Sequence, residues 1–244
     1  MRQKRICCPG GSEAVRCAAA FLGELGFEIT TAPDGDAAHL LLPVPSFPAA
    51  EPFLEDTLRD LSKEVLISGG NLGERFSGYR TVDFLKDPYY LAENAAITAS
   101  CALKIAENRM GNSLAGCPVL VVGWGRIGKC LCRLLENAGA DVTAAARKDT
   151  DRAMIRALGC DGISMEDAAA ELTRYRVIFN TVPAMVLPDL KARQDAVILE
   201  LASIPGMSGA NIISARGLPG KMAPEASGRL IARTFLRLSF DKEV

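Results

Sequence analysis

The chain has 244 residues, of which 49% are hydrophobic, and its formal net charge at pH 7 is −1. This length predicts one large domain or two small ones, with enough apolar residues for a sizeable core. The balanced charge does not indicate a nucleic-acid partner, and the apolar runs are too short to span a membrane. We therefore expect a cytoplasmic protein without a signal peptide, a membrane partner or a nucleic-acid partner.

Eight cysteines and a single histidine, His39, limit the chemistry that is open to this chain. The cysteines form no CxxC pair and have no companion histidine cluster, so no metal site is predicted. A lone histidine in an apolar segment also argues against Ser-His-Asp catalysis. The cysteines are expected to be reduced, mostly buried hydrophobic residues.

The first half of the chain alternates strand and helix patterns. Strands are predicted over 4–8, 27–31, 37–42 and 64–68, and helices over 13–25 and 53–61. A proline-rich loop covers 43–52, and a polar stretch with scattered glycines covers 71–90. Alternation of this kind predicts a parallel sheet with helices on both faces.

A long alanine-rich amphipathic helix over 91–108 is the expected connector to the second half. That half opens with an entirely apolar strand over 119–122, as expected of a central parallel strand. Further strands are predicted over 141–146, 177–181 and 196–201, and a terminal helix over 224–238.

A glycine-rich turn follows the strand over 119–122 directly and opens the next helix. It reads Gly123-Trp124-Gly125-Arg126-Ile127-Gly128. A GxGxxG motif in this context is typical of dinucleotide binding, with the pyrophosphate at the helix N-terminus. Gly123 is expected to permit the tight turn, Gly125 to let the pyrophosphate approach, and Gly128 to let the helix pack on the strand. The alternative is a glycine turn that only connects the two elements.

Two cations, Arg147 and Lys148, stand at the end of the second strand of this half. An NAD site usually has an acid there, roughly 20 residues past the glycines, which binds the ribose 2′-hydroxyl. Cations cannot accept that hydrogen bond, but they can neutralise a 2′-phosphate, and arginine can bind it with two hydrogen bonds. We therefore predict NADP as the cofactor. The alternative is that both residues are solvated loop cations.

Polar residues follow the later strands of this half at equivalent places. Asn180-Thr181-Val182-Pro183 follows one strand, and Ser203-Ile204-Pro205-Gly206 follows the next. Because the carboxyl ends of parallel strands line the ligand crevice, the first segment is expected to flank the ribose or nicotinamide. The alternative is an ordinary turn at the end of a strand.

The predicted fold class is α/β, with two three-layer domains built on parallel sheets, the C-terminal one a Rossmann dinucleotide-binding domain. An N-terminal α/β domain of flavodoxin-like type covers 1–90, and a linker helix covers 91–112. The Rossmann NADP-binding domain covers 113–222, and a C-terminal helix over 223–244 packs back across the domains.

At these residues the chain resembles the family of the dipicolinate synthase A subunit, although it is shorter than expected of that family. The shared segments are VLVVGWGRIGK, GADVTAAARK, NTVPAMVL and LELASIPG. The most specific one, residues 217–224 with Gly228, resembles the family's GLPGxxAPxxxG. The segment Ile67-Ser68-Gly69, together with Asn94 and Thr98, also fits the family pattern. The resemblance covers most of the chain and is strongest after residue 90.

The resemblance implies an NADP-linked oxidation of a dihydrodipicolinate-type dicarboxylate to dipicolinate, the calcium chelator of bacterial spores, and hence a role in sporulation. It also implies a second, flavoprotein-like B subunit, and we expect a homo-oligomer. Candidate substrate-binding residues lie at strand ends, on the linker helix and in the GLPG segment. They are Ser68, Gly69, Asn94, Thr98, Ser203, Pro219, Gly220 and Lys221. No catalytic proton acceptor is assigned.

Two positions depart from the family pattern, since Ile204 replaces a basic residue and Ser100 replaces a glutamate. They favour an alternative in which the chain binds NADP(H) as a regulatory or partner-binding protein and has lost the substrate chemistry. A dehydrogenase of another small acid is a third possibility, although hydride transfer to a ketone normally needs a proton donor such as His or Lys. Arg75, Arg80, Tyr89 and Tyr90, in the polar stretch, are either further contributors or solvated loop residues.

Overall fold

The computed structural model describes residues 5–32 and 36–240, which form two compact units. One unit combines the chain up to Asn94 with the chain from Pro219 onward, and the other runs from Ala95 to Leu218. Lys4 of the first predicted strand lies outside the described residues. The same holds for residues 1–4, 33–35 and 241–244 of the predicted domains.

In the described residues, the first unit contains a parallel five-stranded sheet with the order β2-β1-β3-β4-β5. This is the strand order of flavodoxin-like folds. Its elements in this part of the chain are β1 (Arg5–Cys7), α1 (Glu13–Glu24), β2 (Glu28–Thr30), β3 (His39–Leu41), α2 (Glu51–Asp60), β4 (Leu66–Gly69), β5 (Arg80–Asp83) and α3 (Pro88–Met110). Residues of α3 after Asn94 belong to the second unit.

Burial explains which strands are central in this sheet. Every residue of β3 and β4 is buried, whereas β2 and β5 are partly exposed and form the edges. Helix α1 begins after Ser12, whose side-chain oxygen accepts a hydrogen bond from the Val15 N–H at 3.3 Å. The buried residues of α1, which are Ala14, Val15, Ala18 and Leu22, lie at helical spacing, as expected of a capped amphipathic helix.

The polar stretch over 71–90 is more ordered than the sequence suggested. It contains β5 and two short 3-10 helices, Gly73–Phe76 and Phe84–Lys86, and α3 starts three residues before the predicted helix. The carboxylate of Asp83 accepts backbone N–H groups from Asn71, Leu72 and Leu85 at 3.1, 3.2 and 3.0 Å. A short edge strand of polar residues has no apolar alternation, so its order depends on such tertiary hydrogen bonds.

The second unit contains a parallel sheet with the order β11-β10-β9-β6-β7-β8 across the described residues. Its strands and helices are β6 (Pro118–Val122), α4 (Arg126–Asn137), β7 (Asp141–Ala145), α5 (Asp149–Ala157), β8 (Asp161–Ile163), α6 (Met165–Ala170), β9 (Val177–Asn180), β10 (Val197–Glu200) and β11 (Ile212–Ser214). This is the Rossmann order, which reverses between β6 and β9. The predicted fold class, two α/β domains with parallel sheets, is confirmed.

The chain from 217 to 240 forms α7 (Leu218–Met222) and α8 (Pro224–Phe240). Residues 218–220 of the GLPG segment therefore belong to a short helix and not to a loop. The Ala223 N–H donates to the Pro219 carbonyl at 3.0 Å, and a proline is tolerated in the first turn of a helix.

Helix α8 packs closely on α1 within the first unit. A Cβ atom on Gly228 would lie 2.6 Å from Cys17 Cβ, 2.7 Å from the Ala14 carbonyl oxygen and 2.8 Å from the Ala18 nitrogen. Two of these atoms are main chain and cannot move cheaply. Gly228 therefore sets the spacing between the two helices.

None of the eight cysteines forms a disulfide bond, and Cys17 and Cys130 are the half-buried members of an otherwise buried set. Burial raises the pKa of the Cys8 thiol to about 12, so this group is a neutral core residue at physiological pH. In the described part of the chain, no helix is both long and apolar enough to cross a membrane, and no His, Cys, Asp or Glu cluster could hold a metal ion.

The substitution Gly228→Ala is expected to lower the free energy of unfolding by about 1–3 kcal/mol, because the added methyl group overpacks the α1–α8 contact. Urea denaturation followed by circular dichroism measures the change. The matched control is Gly23→Ala on α1, whose Cβ would meet Ile29 Cγ1 at 3.8 Å, an ordinary contact. The control should be neutral or stabilising by up to about 1 kcal/mol. Equal stability of both variants would contradict the close packing of α8.

Candidate dinucleotide site

A cavity of about 330 Å³ lies at the carboxyl ends of β6, β7 and β9. Its walls come from three segments at the ends of these strands, which are 123–125, 145–148 and 181–183, with Asp151, Met165 and Val186 around them. The strand order reverses between β6 and β9, and ligands of open α/β sheets bind at such a switch point. The fold thus brings together three segments that lie far apart along the chain.

Three glycines shape the turn between β6 and α4, for different reasons. Gly123 has a φ of +103°, and a Cβ atom there would lie 2.6 Å from the Thr181 hydroxyl oxygen. A Cβ atom on Gly128 would lie 2.0 Å from the Gly123 carbonyl oxygen. Gly125 has no such neighbour within 4 Å, so the space beside it is open to a ligand. Packing therefore requires glycine at positions 123 and 128, whereas Gly125 leaves room at the cavity.

Helix α4 begins at Arg126 with Gly125 as its N-cap, and no side chain caps its first turn. The N–H groups at the start of a helix have no partner within the helix, and they attract anions together with the helix dipole. Arg126 is exposed and Ile127 is half-buried at this end. Trp124, also half-buried, lines the cavity, and the Lys129 ammonium lies 5.8 Å from the centre of its ring. The turn therefore presents donors and positive charge.

Arg147 and Lys148 are exposed and line the cavity after β7. The guanidinium of Arg152 holds this loop from α5, donating to the carbonyl oxygens of Ala146 and Arg147 at 2.8 and 2.9 Å. Arg152 also forms an ion pair with Asp149. The backbone beneath the two cations is thus ordered, while their side chains remain available to solvent or a ligand.

The segment after β9 divides between the cavity and the protein interior. Thr181, Val182 and Pro183 line the cavity, and the Thr181 hydroxyl donates to the Val122 carbonyl oxygen at 2.9 Å. Asn180 is fully buried and does not line the cavity, in contrast to its predicted place beside the ligand. Its amide instead binds the buried carboxylate of Glu200 at 2.9 and 3.0 Å.

Sequence reasoning missed Glu200, which is 3% exposed at the end of β10. The available signal was an acid at the end of an apolar strand, in the segment Val197-Ile198-Leu199-Glu200. A charge at such a place is buried only when hydrogen-bond donors surround it.

Several candidate substrate residues belong to the first unit. Ser68 is fully buried, and its hydroxyl oxygen has no hydrogen-bond partner among the described residues. A Cβ atom on Gly69 would lie 2.4 Å from the Ser46 hydroxyl oxygen. Both residues therefore lie inside the packing at the end of β4 and not at a surface, in contrast to their predicted place as donors to a ligand.

The other substrate candidates are spread over both units. Asn94 is half-buried, Pro219 is buried, Gly220 is half-buried and Lys221 is exposed, all in the first unit. In the second unit, Thr98 on α3 is 7% exposed and Ser203 after β10 is exposed. Ser203 and Lys221 are thus the exposed members of this set.

The two arginines and two tyrosines considered in the polar stretch have different surroundings. The Arg75 guanidinium lies 4.1 Å from the centre of the Phe47 ring, and Arg80 lies on the edge strand β5. Tyr90 is buried, which raises the pKa of its hydroxyl well above the usual range. Tyr89 is 69% exposed beneath the Arg237 guanidinium. Arg75 and Tyr90 therefore have packing roles within the first unit.

Known proteins resemble this chain in sequence and in fold. Residues 93–185 match the family "D-isomer specific 2-hydroxyacid dehydrogenase, NAD binding domain". The A subunit of dipicolinate synthase from Bacillus subtilis is 27% identical over 156 residues, which are 59% of this chain and 52% of that protein. The chain is related to this A subunit. The aligned part spans about half of that relative's length.

Two solved structures of the dipicolinate synthase A subunit share the fold over nearly the whole chain. The one from Bacillus halodurans has a TM-score of 0.83 at 20% identity and covers 97% of each chain. The one from Bacillus subtilis has a TM-score of 0.76 at 20% identity, covering 96% of this chain and 95% of the other. The family match supports a nicotinamide dinucleotide as the cofactor and an oxidoreductase as the general class.

Gly128→Ala is expected to destabilise the protein by about 1–3 kcal/mol, since the new methyl group would collide with a main-chain oxygen. Gly125→Ala should change stability by less than about 0.5 kcal/mol, because the space beside it is open. Both effects can be read from urea unfolding of the two variants in parallel. A large loss of stability in Gly125→Ala would show that this glycine is needed for packing and not for access.

Proposed function

We propose that the chain is an NADP(H)-dependent oxidoreductase of the dipicolinate synthase A type. The observation that carries the coenzyme assignment is the pair Arg147 and Lys148 on the cavity wall after β7. In Rossmann sites this strand end faces the adenosine ribose, where NADP differs from NAD by a 2′-phosphate. A guanidinium and an ammonium group favour that phosphate, and the guanidinium can bind it with two hydrogen bonds.

The main competitor for this coenzyme assignment is NAD(H). Asp151 lines the same cavity from α5, and an acid near this place can accept hydrogen bonds from ribose hydroxyls. The neighbouring acid, Asp149, is paired with Arg152. Two exposed cations against one acid favour NADP(H), because the 2′-phosphate adds negative charge where the cations lie.

The residues present suit a bound dinucleotide. Gly125 leaves open space, the first turn of α4 has no side-chain cap, and Val182 and Pro183 offer an apolar wall after β9. The oxidised coenzyme supplies a hydride acceptor. This chain would bind and orient the coenzyme through the glycine turn and the strand-end segments, and would shield it from water on the β9 side.

The proposed reaction converts a hydrated dihydropyridine-type dicarboxylate to dipicolinate. Loss of a hydride, a proton and a water molecule from a partly unsaturated ring yields an aromatic pyridine, so the product itself supplies driving force. The protein then has to place a ring carbon near the coenzyme and bind two carboxylates. The proposed anion contacts are Ser203 and Thr98 in the second unit, and Asn94, Pro219, Gly220 and Lys221 in the first. A partner of B-subunit type and a homo-oligomer are part of the proposal.

The second candidate is a regulatory or partner-binding protein that keeps the coenzyme but not the chemistry. Ile204, in the loop after β10, is 61% exposed where related proteins are expected to have a basic residue. An exposed apolar side chain contributes nothing to carboxylate binding. It does fit contact with an apolar ligand or with another protein.

Trp124 is the single tryptophan of the chain and lines the cavity, so its fluorescence reports coenzyme binding directly. The NADPH concentration that gives half of the full quenching is expected to be lower than that of NADH by about tenfold or more. Arg147→Gln should weaken NADPH binding about tenfold, the cost of one charged hydrogen bond, and leave NADH binding unchanged.

Arg156→Gln is the matched control for this experiment. It also removes one positive charge, in this case from α5. The Arg156 guanidinium donates to the Gly162 carbonyl oxygen at 3.1 Å and does not line the cavity. Both coenzymes should bind the control as they bind the natural chain. Tighter binding of NADH than of NADPH to the natural chain would sink the NADP assignment.

Dipicolinate formation tests the reaction itself. The chain, NADP⁺, freshly made product of dihydrodipicolinate synthase and a flavoprotein-like B subunit should together develop the pyridine-dicarboxylate absorbance. Omission of NADP⁺ is the control and should abolish the signal. Tight NADPH binding without product would instead support the regulatory candidate. Product from Ile204→Arg but not from the natural chain would identify Ile204 as the cause of the loss.

A further inference from the structure

Glu200 is a buried acid at the end of β10, the strand that pairs with β9, and residues 181–183 after β9 line the dinucleotide cavity. It ends β10 after three apolar residues and is 3% exposed. Burying an ionised carboxylate costs several kcal/mol unless hydrogen-bond donors replace its water. Such a group therefore needs an explanation from its surroundings.

The carboxylate accepts hydrogen bonds from the end of β9 and from the loop after β10. The Asn180 amide at the end of β9 donates to both of its oxygens, at 2.9 and 3.0 Å. Backbone N–H groups of Ala202, Gly206 and Met207 donate at 3.0, 2.8 and 3.2 Å. These donors satisfy the charge and connect the segment after β9 to the segment after β10.

Asn180 links Glu200 to Val182, which lines the cavity. Its amide nitrogen also donates to the Val182 carbonyl oxygen at 3.1 Å, and its amide oxygen accepts the Val182 N–H at 3.0 Å. Because Glu200 only accepts hydrogen bonds, it determines which way the Asn180 amide points. A Cβ atom on Gly206 would lie 2.5 Å from Asn180 Nδ2 and 2.6 Å from the Val182 carbonyl oxygen, so the two loops touch.

The strand order identifies which half of the coenzyme this wall would contact. The cations after β7 lie on one side of β6, and the segment after β9 lies on the other. With the 2′-phosphate at Arg147 and the pyrophosphate at the glycine turn, the nicotinamide half extends toward β9. Val182 and Pro183 then form its wall.

We propose that Glu200 is a positioning residue that holds the nicotinamide wall of the cavity through Asn180, an inference that rests on the proposed coenzyme. A neutral amide cannot replace the carboxylate. In Glu200→Gln, an NH₂ group would face the N–H donors that now bind an oxygen, and at least one of them would lose its partner.

Coenzyme fragments separate this role from general stability. The probe for the adenosine half is 2′,5′-ADP, which carries the 2′-phosphate but no nicotinamide, and NADPH is the complete ligand. Isothermal titration calorimetry of Glu200→Gln should show NADPH binding weakened about tenfold, since a buried donor loses its partner. Binding of 2′,5′-ADP should stay within about twofold, because its contacts lie at β7 and the glycine turn.

Two further variants keep the test decisive. Asn180→Ala leaves the carboxylate with its backbone donors but cuts the link to Val182, and it should show the same selective loss if Glu200→Gln does not fold. Asp83→Asn is the matched control, because Asp83 likewise accepts three backbone N–H groups at the end of a strand, in the first unit. It should alter neither affinity.

Equal weakening of NADPH and 2′,5′-ADP, or no change in either, would overturn the positioning role while leaving the proposed coenzyme intact. A natural chain that binds neither probe would overturn the proposed function, and this inference with it.

Discussion

Helix α4 starts so close to β6 that a single methyl group on Gly128 would lie 2.0 Å from the Gly123 carbonyl oxygen. This contact directs the uncapped N-terminus of α4 to the carboxyl end of β6, where the strand order reverses. The cavity forms at that point because the connections after β6 and β9 lead away from each other, in opposite directions along the sheet. Its walls, its positive end and its open space beside Gly125 all depend on this close approach of helix and strand.

Polar side chains around the cavity mostly bind the main chain of the loops that form it. Thr181 holds the glycine turn to β9, Arg152 holds the loop after β7, and Glu200 with Asn180 holds the loops after β9 and β10. Loops fixed in this way lose little conformational entropy when a ligand binds. The cavity is therefore preorganised, and the side chains of Arg147 and Lys148 remain exposed at its wall.

The dinucleotide half and the substrate half of the proposed site rest on different support. The match of residues 93–185 to an NAD-binding domain and the geometry of the cavity agree on the coenzyme class. On the substrate side, Ser68 and Gly69 are packed inside the first unit, and Ile204 presents an exposed apolar side chain in the loop after β10. The relationship to the dipicolinate synthase A subunit thus supports the fold and the general chemistry more firmly than the substrate.

The sequence by itself determined the two parallel sheets, the glycine turn and the cations after β7, because these depend on local apolar runs and on residue types at short spacing. It did not predict β5, β8 or β11, which are short strands with partly exposed residues and so carry little apolar pattern. Only the tertiary structure decided that Asn180 points away from the cavity, because its partner Glu200 is 20 residues away on a neighbouring strand. Hydrogen bonds between strand ends that are far apart in sequence depend on the order of strands in the sheet, and no local segment of the sequence determines that order.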